Sequence, residues 1–401
     1  MLTAGVPAGA GGSVPARVVA AVRELAGGAE PVCAFVYDRV VLDEVVARVR
    51  AALPAGSVLL YAMKANGHPA VVARLAQAAD GVEVASAGEL AAAVAAGARQ
   101  VVFGGPAKTD GQLAAAVAAG AVVNVESVLE VRRLDVVARA AGARAVAAVR
   151  VNRPGGGVSG SHRMAGAATQ FGVDEAQLGE VVAVARELPG VRLVGFGLHA
   201  VSNNLDAAAH ARFVTAAVAW AVRAAGRLRL ELSYVNVGGG FGVDYVGGRC
   251  FDLERLRAGL AGVVVPPGVR LVFEPGRLLV ADAGWYAAQV VDVKRTQGRW
   301  FAVVRGGTHH FRLPAAWGYS HPFTVVPVSR WPYPFARPQV VRAAVDVVGE
   351  LCTPRDVLCR DQVVGRLRVG DVVVFARAGG YGWDISHHDF LRHPHPRMVV
   401  L

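Results

Sequence analysis

Several features that would assign the chain to a particular class of protein are missing from its sequence. Only three of its 42 basic residues are lysine, and no run of five or more basic residues occurs. A nucleic-acid-binding surface normally concentrates its positive charge in a stripe or a tail. We therefore interpret the net charge of +11 as the arginine bias of a GC-rich genome and predict no nucleic-acid partner.

Long apolar runs, targeting signals and paired cysteines are missing as well. No stretch approaches the roughly 18 apolar residues of a membrane helix, and the N-terminus lacks the basic start and apolar block of a signal peptide. The four cysteines show no C-x-x-C spacing, so the sequence suggests neither a disulfide framework nor a metal site. These absences predict a cytoplasmic protein without a membrane partner.

The sequence does contain enough apolar material for a large core. Hydrophobic residues make up 54% of the chain and charged residues 18%, which is typical of a globular protein and excludes a disordered one. A length of 401 residues allows two domains, or three. We predict a flexible leader over residues 1–30, a (β/α)8 barrel over 31–280 and a β domain over 281–401.

Short apolar runs rich in β-branched residues alternate with amphipathic helical stretches from residue 57 to 276. There are eight runs, at 57–65, 81–86, 101–105, 121–125, 145–152, 191–200, 232–240 and 270–276. Helices between strands imply a parallel sheet, and eight such units match the size of a TIM barrel. A doubly wound open sheet is the alternative, although it rarely contains eight such regular units.

The pattern changes after residue 280, where helical periodicity fades and β-like runs follow one another. We predict a separate antiparallel β domain in this part of the chain. The run 32–38 precedes the barrel and is a candidate strand of that second domain, so that 31–40 need not belong to the barrel. The Gly-rich segment 153–171 is predicted to be a long mobile loop, and loops of this length often have a function.

Polar residues collect at the predicted C-terminal ends of the barrel strands, where the active sites of TIM barrels lie. These residues are Lys64, Glu83, Arg150, His199, Gly238–Gly240 and Glu274. Charged side chains are almost never fully buried unless they are paired. Their gathering at one rim therefore predicts a site.

Each of these residues also has a simpler interpretation. Lys64 is either a surface lysine or a desolvated amine that forms a Schiff base with a carbonyl compound. Glu274 alone would be a salt-bridge partner, His199 a core histidine, and the glycine run a tight turn. Together, a lysine, a carboxylate, an aromatic ring and a backbone anion nest are what pyridoxal phosphate requires.

Seven motifs resemble those of the fold-type III pyridoxal-phosphate decarboxylases, the group that contains diaminopimelate and ornithine decarboxylases. They are YAMKAN (61–66), EVASAGEL (83–90), HAVSN (199–203), NVGGGFG (236–242), FEPGR (273–277), ELCTPRDVL (350–358) and AGGYG (378–382). The resemblance runs from residue 30 to residue 395. It implies an alanine racemase-like barrel with a C-terminal β domain, pyridoxal 5'-phosphate as cofactor, and decarboxylation of an amino acid.

The resemblance also assigns roles in binding the cofactor. Lys64 would hold it covalently, His199 would stack on its pyridine ring, and Glu274 would keep the ring nitrogen protonated. In alanine racemases of this barrel class an arginine takes the place of Glu274 and weakens the electron sink, so a glutamate favours decarboxylation over racemisation. The residues that would bind the phosphate are Ser202, Gly239, Gly240 and Tyr381.

Further residues of the pocket follow from the same resemblance. Glu83 and Arg150 would line the cofactor, and Arg277 would lie near the phosphate or the substrate carboxylate. Cys352 would return a proton to the α carbon after CO2 has left, and Asp356 would face the substrate. In this family both usually come from the partner subunit, which implies a homodimer with shared active sites. The alternative for Cys352 is a small buried apolar residue, as free cysteines commonly are.

Departures from the family pattern bear on the small-molecule substrate. Thr353 follows the cysteine, where diaminopimelate decarboxylases usually have a glutamate that reads the distal amino group. The segments 308–323 and 381–396 instead resemble the siderophore-pathway branch, whose members decarboxylate citryl-diaminopropionate to citryl-diaminoethane. The residues that would bind the citryl carboxylates are Arg312, His162, His309, His310, His387 and His388.

Several alternatives remain open on the sequence alone. The substrate is otherwise a free basic amino acid, namely diaminopimelate, ornithine, lysine or arginine. A racemase or epimerase would share the cofactor, but Glu274 and Cys352 argue against it. A non-catalytic homologue would be expected to lose the lysine, the cysteine or the glycine motif, and this chain keeps all three. A histidine-bound metal is a further alternative, although the chemistry does not call for one.

Overall fold

The computed structural model of the chain describes residues 14–153 and 158–401, apart from the side chains of His162 and Arg163. The chain divides into two compact units. The barrel unit comprises residues 42–243 and 249–279. The β-domain unit comprises the described residues up to Val41 together with 244–248 and 280–401.

The barrel unit contains a closed ring of eight parallel strands. Each apolar run identified in the sequence contains one of them, and the pairing of the fourth strand with the fifth closes the ring. The strands are Val58–Ala62, Gly81–Val84, Val101–Phe103, Val122–Val125, Ala145–Asn152, Val191–Gly197, Tyr234–Asn236 and Arg270–Phe273. The predicted (β/α)8 barrel is confirmed, and closure of the ring excludes the open sheet.

Amphipathic helices precede and connect these strands. Many begin at a Ser, Thr or Asp whose side-chain oxygen accepts the backbone N–H three residues later, as Ser86, Ser127 and Asp206 do. The helices are Arg39–Ala52, Pro69–Ala78, Ala87–Ala95, Asp110–Ala118, Val128–Ala140, Leu178–Arg186, Ala207–Leu228 and Leu253–Leu260. Since every strand runs in the same direction, all the strand C-termini lie at one rim.

The β-domain unit is built on a second sheet of eight strands. They are Cys33–Tyr37, Gly284–Thr296, Arg299–Val304, Phe323–Val326, Gln339–Val348, Val357–Arg368, Val372–Phe375 and Arg397–Val400. The sheet is mixed, not wholly antiparallel as predicted. Cys33–Tyr37 runs parallel to Arg397–Val400, and Arg299–Val304 runs parallel to Gln339–Val348.

The prediction of a flexible leader over residues 1–30 is wrong for Ala16–Ala26, which forms a helix. Val18 and Val22 lie one turn apart and are completely buried against Val36 and Trp285 of the second sheet. Burial of this apolar stripe stabilises a helix whose Gly- and Pro-rich surroundings conceal it in the sequence. Residues 1–13 of the predicted leader lie outside the described residues.

The remaining elements are short. Strands His162–Arg163 and Val201–Ser202 pair with each other, so part of the segment predicted to be a loop over 153–171 is a short strand. Residues 154–157 of that segment lie outside the described residues. None of the helices in the described parts of the chain is long and apolar enough to cross a membrane. Other short elements are strand Val173–Asp174, helices Arg277–Val280 and Leu313–Trp317, and 3-10 helices Met63–Ala65, Glu175–Gln177, Ala281–Ala283 and Phe390–Arg392.

Candidate active site

An amine and two carboxylates meet at the C-terminal rim of the barrel. Lys64 lies in the 3-10 turn directly after the first strand, and Glu274 directly follows the eighth. These two strands are neighbours in the ring, so the residues that follow them project at the same place. The Nζ atom of Lys64 donates a hydrogen bond to Oε2 of Glu83 in the second strand, at 2.6 Å. The predicted gathering of these three residues at one rim is present in the structure.

Glu274 is an acid whose environment opposes its negative charge. Its Oε1 accepts a hydrogen bond from Nδ2 of Asn236, at 2.5 Å. Burial, and then the nearby charge of Glu83, raise the pKa of Glu274 from 4.5 to about 7. The charges of Lys64 and Arg150 act in the opposite direction but do not cancel this effect. The carboxylate therefore lacks a sufficient cationic partner among the protein groups around it.

His199 follows the sixth strand and presents a neutral ring to the same rim. Its Nδ1 accepts the backbone N–H of Gly239 at 3.3 Å. Removal from solvent, followed by the positive charges of Arg150 and Lys64, holds the pKa of His199 well below its usual range. A neutral imidazole held in one orientation can pack flat on an aromatic ligand.

The glycine run after the seventh strand brings the backbone close to its neighbours. Gly238 and Gly240 have positive φ values of 72° and 92°, which other residues rarely adopt. A Cβ atom on Gly238 would collide with the imidazole of His199, and one on Gly239 would collide with the backbone carbonyl of Glu274. This turn requires glycine, and successive glycine N–H groups are a common cradle for an anion.

Arg150 carries an unsatisfied donor in a buried place. Its Nη1 donates to Oε1 of Glu126 at 3.2 Å, while its Nη2 is buried without a hydrogen-bond partner among the described residues. The side-chain oxygen of Asn124 is likewise buried and unpartnered within the described chain. Buried polar atoms are nearly always satisfied in folded proteins. These two atoms, which are among several such exceptions in the described barrel unit, indicate a place for a polar ligand or for water.

Sequence reasoning missed the polar residues that hold Glu126, the partner of Arg150, in place. The Nζ of Lys108 donates to Oε1 of Glu130 at 2.7 Å and to the carbonyl oxygens of Gly105 and Asn124. Glu130 in turn accepts the backbone N–H of Glu126 at 2.7 Å. The one available signal was Lys108 itself, which is one of only three lysines and is 4% exposed. Asn236 was also missed, because it stood inside a motif dominated by its glycines.

Three further predicted residues belong to the barrel unit. Arg277 follows the eighth strand after Glu274 and a Pro-Gly turn, and it is 5% exposed. Ser202 is half-buried in the short strand Val201–Ser202. The side chain of His162 lies outside the described residues.

Besides the four predicted histidines at 309, 310, 387 and 388, four predicted residues belong to the β-domain unit. Cys352 is exposed, not a buried apolar residue. The carboxylate of Asp356 is buried and accepts the backbone N–H groups of Thr308 at 2.7 Å and Leu351 at 2.9 Å. These bonds hold the loop that carries Cys352. The exposed Arg312 and the half-buried Tyr381 are the remaining two.

The β-domain unit also contains a cluster of histidines around one carboxylate. Ligand atoms of His309, Glu350 and His393 lie within 4.8 Å of one another. These are the residue types of a metal site, but Glu350 is already engaged, because its other oxygen pairs with the guanidinium of Arg305. Burial lowers the pKa of His309 to about 4, so its ring is neutral at pH 7. The histidines at 309 and 310 are completely buried.

The groups at the barrel rim fit pyridoxal phosphate. Lys64 supplies an amine for its aldehyde, and the glycine turn supplies a cradle for its phosphate. A protonated pyridine nitrogen is the cation that the buried Glu274 lacks. The unpartnered Nη2 of Arg150 offers a hydrogen-bond donor for the oxygen atoms of the cofactor. The fit rests on the charges and unsatisfied groups of the protein itself.

Comparisons with known proteins agree with this fit. The family model "Pyridoxal-dependent decarboxylase, pyridoxal binding domain" matches residues 41–281. A 2-((L-alanin-3-ylcarbamoyl)methyl)-2-hydroxybutanedioate decarboxylase of Staphylococcus aureus is 37% identical over 95% of this chain and 96% of that protein. A diaminopimelate decarboxylase of Deinococcus radiodurans is 33% identical over 91% of this chain and 89% of that protein. The structure of a diaminopimelate decarboxylase from Helicobacter pylori, complexed with L-lysine, matches this chain with a TM-score of 0.84 and 23% sequence identity. The match covers 94% of this chain and 93% of that one and shows that the two share a fold.

Proposed function

The chain belongs to the family of pyridoxal-dependent decarboxylases, and from this premise we propose that it decarboxylates citryl-L-2,3-diaminopropionate to citryl-diaminoethane in siderophore biosynthesis. One observation carries the choice of substrate: the 37% identity to the Staphylococcus aureus enzyme over nearly the full length of both chains. The name of that enzyme describes a citryl group joined by an amide to the side-chain nitrogen of 2,3-diaminopropionate. The proposed cofactor and reaction are those of the family.

A free basic amino acid is the second candidate substrate. The 33% identity to a diaminopimelate decarboxylase favours it. Thr353 argues against it, because a threonine carries no negative charge with which to form an ion pair to the distal ammonium of such a substrate. The citryl conjugate has carboxylates at its distal end and needs cationic partners instead.

The predicted residues would have distinct roles toward the cofactor. Lys64 would bind the cofactor aldehyde, the Gly238–Gly240 turn with Ser202 and Tyr381 would bind its phosphate, and Glu274 would bind its ring nitrogen. His199 would pack on one face of the ring, with Glu83 and Arg150 at its edge. When bound, pyridoxal phosphate supplies the electron sink that accepts the pair left by the departing CO2.

The protein groups would handle the protons and exclude side reactions. Glu274 would pair with the protonated ring nitrogen, because burial and Glu83 leave its carboxylate short of positive charge and the ring cation would supply that charge. Cys352 would deliver one proton to the α carbon in place of the lost carboxyl group and regain it from solvent. The balanced reaction consumes one proton and yields one CO2 and one amine. Arg277 and Arg312 would orient the substrate carboxylates.

The assembly and location follow from the same reasoning. We expect a homodimer in which Cys352 and Asp356 of one subunit serve the barrel of the other, supported by their place outside the barrel unit. The cytoplasm is the expected location, and it stays a prediction.

Mass spectrometry of the purified, cofactor-loaded protein tests this function. The protein is incubated separately with citryl-diaminopropionate, diaminopimelate, ornithine, lysine and arginine, and Lys64→Ala is the control. We expect loss of one CO2 from the citryl conjugate alone, and none with Lys64→Ala because no other described group can replace that amine. Loss of CO2 only from a free amino acid would overturn the substrate and keep the reaction. A racemised substrate with its carboxylate intact would overturn the reaction.

A further inference from the structure

A cavity of about 600 Å³ in the β-domain unit has a strongly cationic lining. Its volume lies within the range of about 300–1,000 Å³ that is usual for small-molecule sites. Arg312, Arg355, Arg360 and His387 line it, and within the described part of the chain no Asp or Glu does. The hydroxyl-bearing residues Thr308, Tyr319, Ser320 and Thr353 also line the cavity.

The positive charges of this cavity are poorly compensated. No carboxylate lies within 4.0 Å of the guanidinium of Arg312 or Arg355 among the described residues. Arg360 approaches Asp346 only at 3.9 Å, and that carboxylate is already bound by Arg299 at 2.8 Å. Cations gathered in a concave wall raise the local concentration of anions.

His387 adds an unsatisfied polar atom to the same wall. Its Nδ1 is buried without a hydrogen-bond partner in the described chain. Removal from solvent, and then the charge of Arg312, lower the pKa of His387, so that its neutral ring can donate one hydrogen bond. The charge of Asp356 reaches His387, but the carboxylate of Asp356 is committed to the backbone of Thr308 and Leu351. The cavity therefore offers donors and cations without a competing free acid.

We propose that this cavity binds a polycarboxylate, and that Arg355 and Arg360, together with Arg312, recognise the two free carboxylates of the citryl group. The identification of the ligand as a citryl group rests on the function proposed above. A guanidinium binds a carboxylate through paired, charge-assisted hydrogen bonds, and the hydroxyl side chains match the hydroxyl that the citryl group carries. Arg355 and Arg360 are thus specificity residues that sequence reasoning did not identify.

The same charges would act against the binding of free basic amino acids. Lysine, ornithine and diaminopimelate each carry a second ammonium group, which three arginines would repel. Discrimination by repulsion of the wrong partner is a common source of specificity. We therefore expect citrate and other polycarboxylates to bind, and diaminopimelate not to bind, at this cavity.

Calorimetric titration of the cofactor-loaded protein with citrate, tricarballylate and acetate tests the proposal. We expect citrate and tricarballylate to bind, acetate not to bind, and affinity to fall as salt increases. Arg355→Ala and Arg360→Ala should each weaken citrate binding about tenfold or more, because each removes a hydrogen bond to a charged group. Arg366→Ala is the matched control, since Arg366 is exposed in the same unit and does not line the cavity. Equal citrate affinity in all three variants would overturn the proposal.

Kinetics with the citryl conjugate separate this proposal from the proposed function. Arg355→Ala and Arg360→Ala should raise KM and leave kcat nearly unchanged, because contacts far from the reacting carbon are equal in the ground and transition states. Turnover with an unchanged KM in both variants would overturn the proposal that the cavity binds the citryl group, and it would leave the proposed function intact. If citrate binding depends on both arginines but the protein does not turn over the conjugate, the proposed function is overturned. The proposal that the cavity binds a polycarboxylate is then retained.

Discussion

At the scale of single residues, the environment of Glu274 shows that the site needs a positively charged partner for this carboxylate. It lies beside a second carboxylate, that of Glu83, and its pKa is raised to about 7. A folded protein without its cofactor must therefore either protonate Glu274 or tolerate an uncompensated buried charge. Either choice lowers the stability of the cofactor-free protein at neutral pH.

The Glu274→Gln substitution tests this cost. The pKa of Glu274 is about 7 in the folded protein and 4.5 without the protein environment. Between pH 4.5 and pH 7 the unfolded chain therefore binds fewer protons at this residue than the folded protein does. A rise in pH through this window favours the unfolded chain. We expect the free energy of unfolding of the cofactor-free protein to fall over this window by up to about 3 kcal/mol more than in Glu274→Gln. Guanidinium denaturation at pH 5 and pH 8 measures the difference.

The control for this experiment is Glu254→Gln. The side chain of Glu254 is 80% exposed, so removal of its charge should leave the pH dependence close to that of the natural protein. Identical pH dependence in Glu274→Gln and the natural protein would contradict the assigned environment.

Single residues also show which part of the site the sequence can reveal. Lys64, Glu83, His199 and Glu274 stand at or next to strand ends within apolar surroundings, and their gathering at one rim could be predicted. Asn236 and Glu126 could not be singled out, because their importance comes from partners distant in the chain. The Nδ2 of Asn236 reaches a residue 38 positions away. A polar residue near a strand end gives no sign of which distant group it will meet.

At the scale of elements, the glycine turn after the seventh strand is a tightly constrained segment of the barrel rim. Three consecutive glycines lie against His199, Glu274 and Val201 at distances that leave no room for a side chain. The turn therefore couples the position of the predicted phosphate cradle to that of two site residues.

Gly239→Ala tests this coupling. Its Cβ would meet the backbone carbonyl of Glu274, which cannot move without displacing the carboxylate as well. We expect a loss of about 1–3 kcal/mol of stability and weaker binding of pyridoxal phosphate, measured by denaturation and by absorbance titration. Gly226→Ala is the matched control, because a Cβ there meets nothing within 4 Å and Gly226 lies in helix Ala207–Leu228. The control should gain about 0.5–1 kcal/mol. Equal effects of the two substitutions would contradict the constraint.

The elements themselves were predictable where local pattern and tertiary burial agree. All eight barrel strands lie within the apolar runs, because a strand buried on both faces must be apolar throughout. Helix Ala16–Ala26 was missed, since its stabilisation comes from the second sheet, which the local sequence does not show. The parallel pairings of the second sheet were missed for the same reason, because strands distant in the chain form them.

At the scale of the whole molecule, the predicted site residues are divided between the two units. Lys64 and Glu274 belong to the barrel unit, and Cys352 and Asp356 belong to the β-domain unit. The family resemblance assigns the second pair to the partner subunit. A homodimer with shared active sites predicts that two inactive variants restore activity when their subunits mix, whereas a subunit with its own complete site does not.

Mixing two inactive variants tests the shared site. Lys64→Ala and Cys352→Ala should each lose activity, but a hybrid dimer would contain one site with both residues intact. After exchange of subunits at equal concentrations we expect up to about a quarter of the natural activity to return. Each variant exchanged with itself is the control. Native mass spectrometry that shows hybrid dimers without returned activity would contradict shared sites.

The position of strand Cys33–Tyr37 also has a consequence for how the protein is made. This strand pairs with Gly284–Thr296 on one side and Arg397–Val400 on the other. A ribosome adds about 5–20 residues each second, so the strand waits roughly 20–70 seconds for the partner that is synthesised about 360 residues later. During that time an almost entirely apolar segment has an unpaired edge, which attracts other chains. Slow translation of the last third of the message would thus lengthen the period of greatest aggregation risk, and a chaperone acting on the nascent chain would have its greatest effect then.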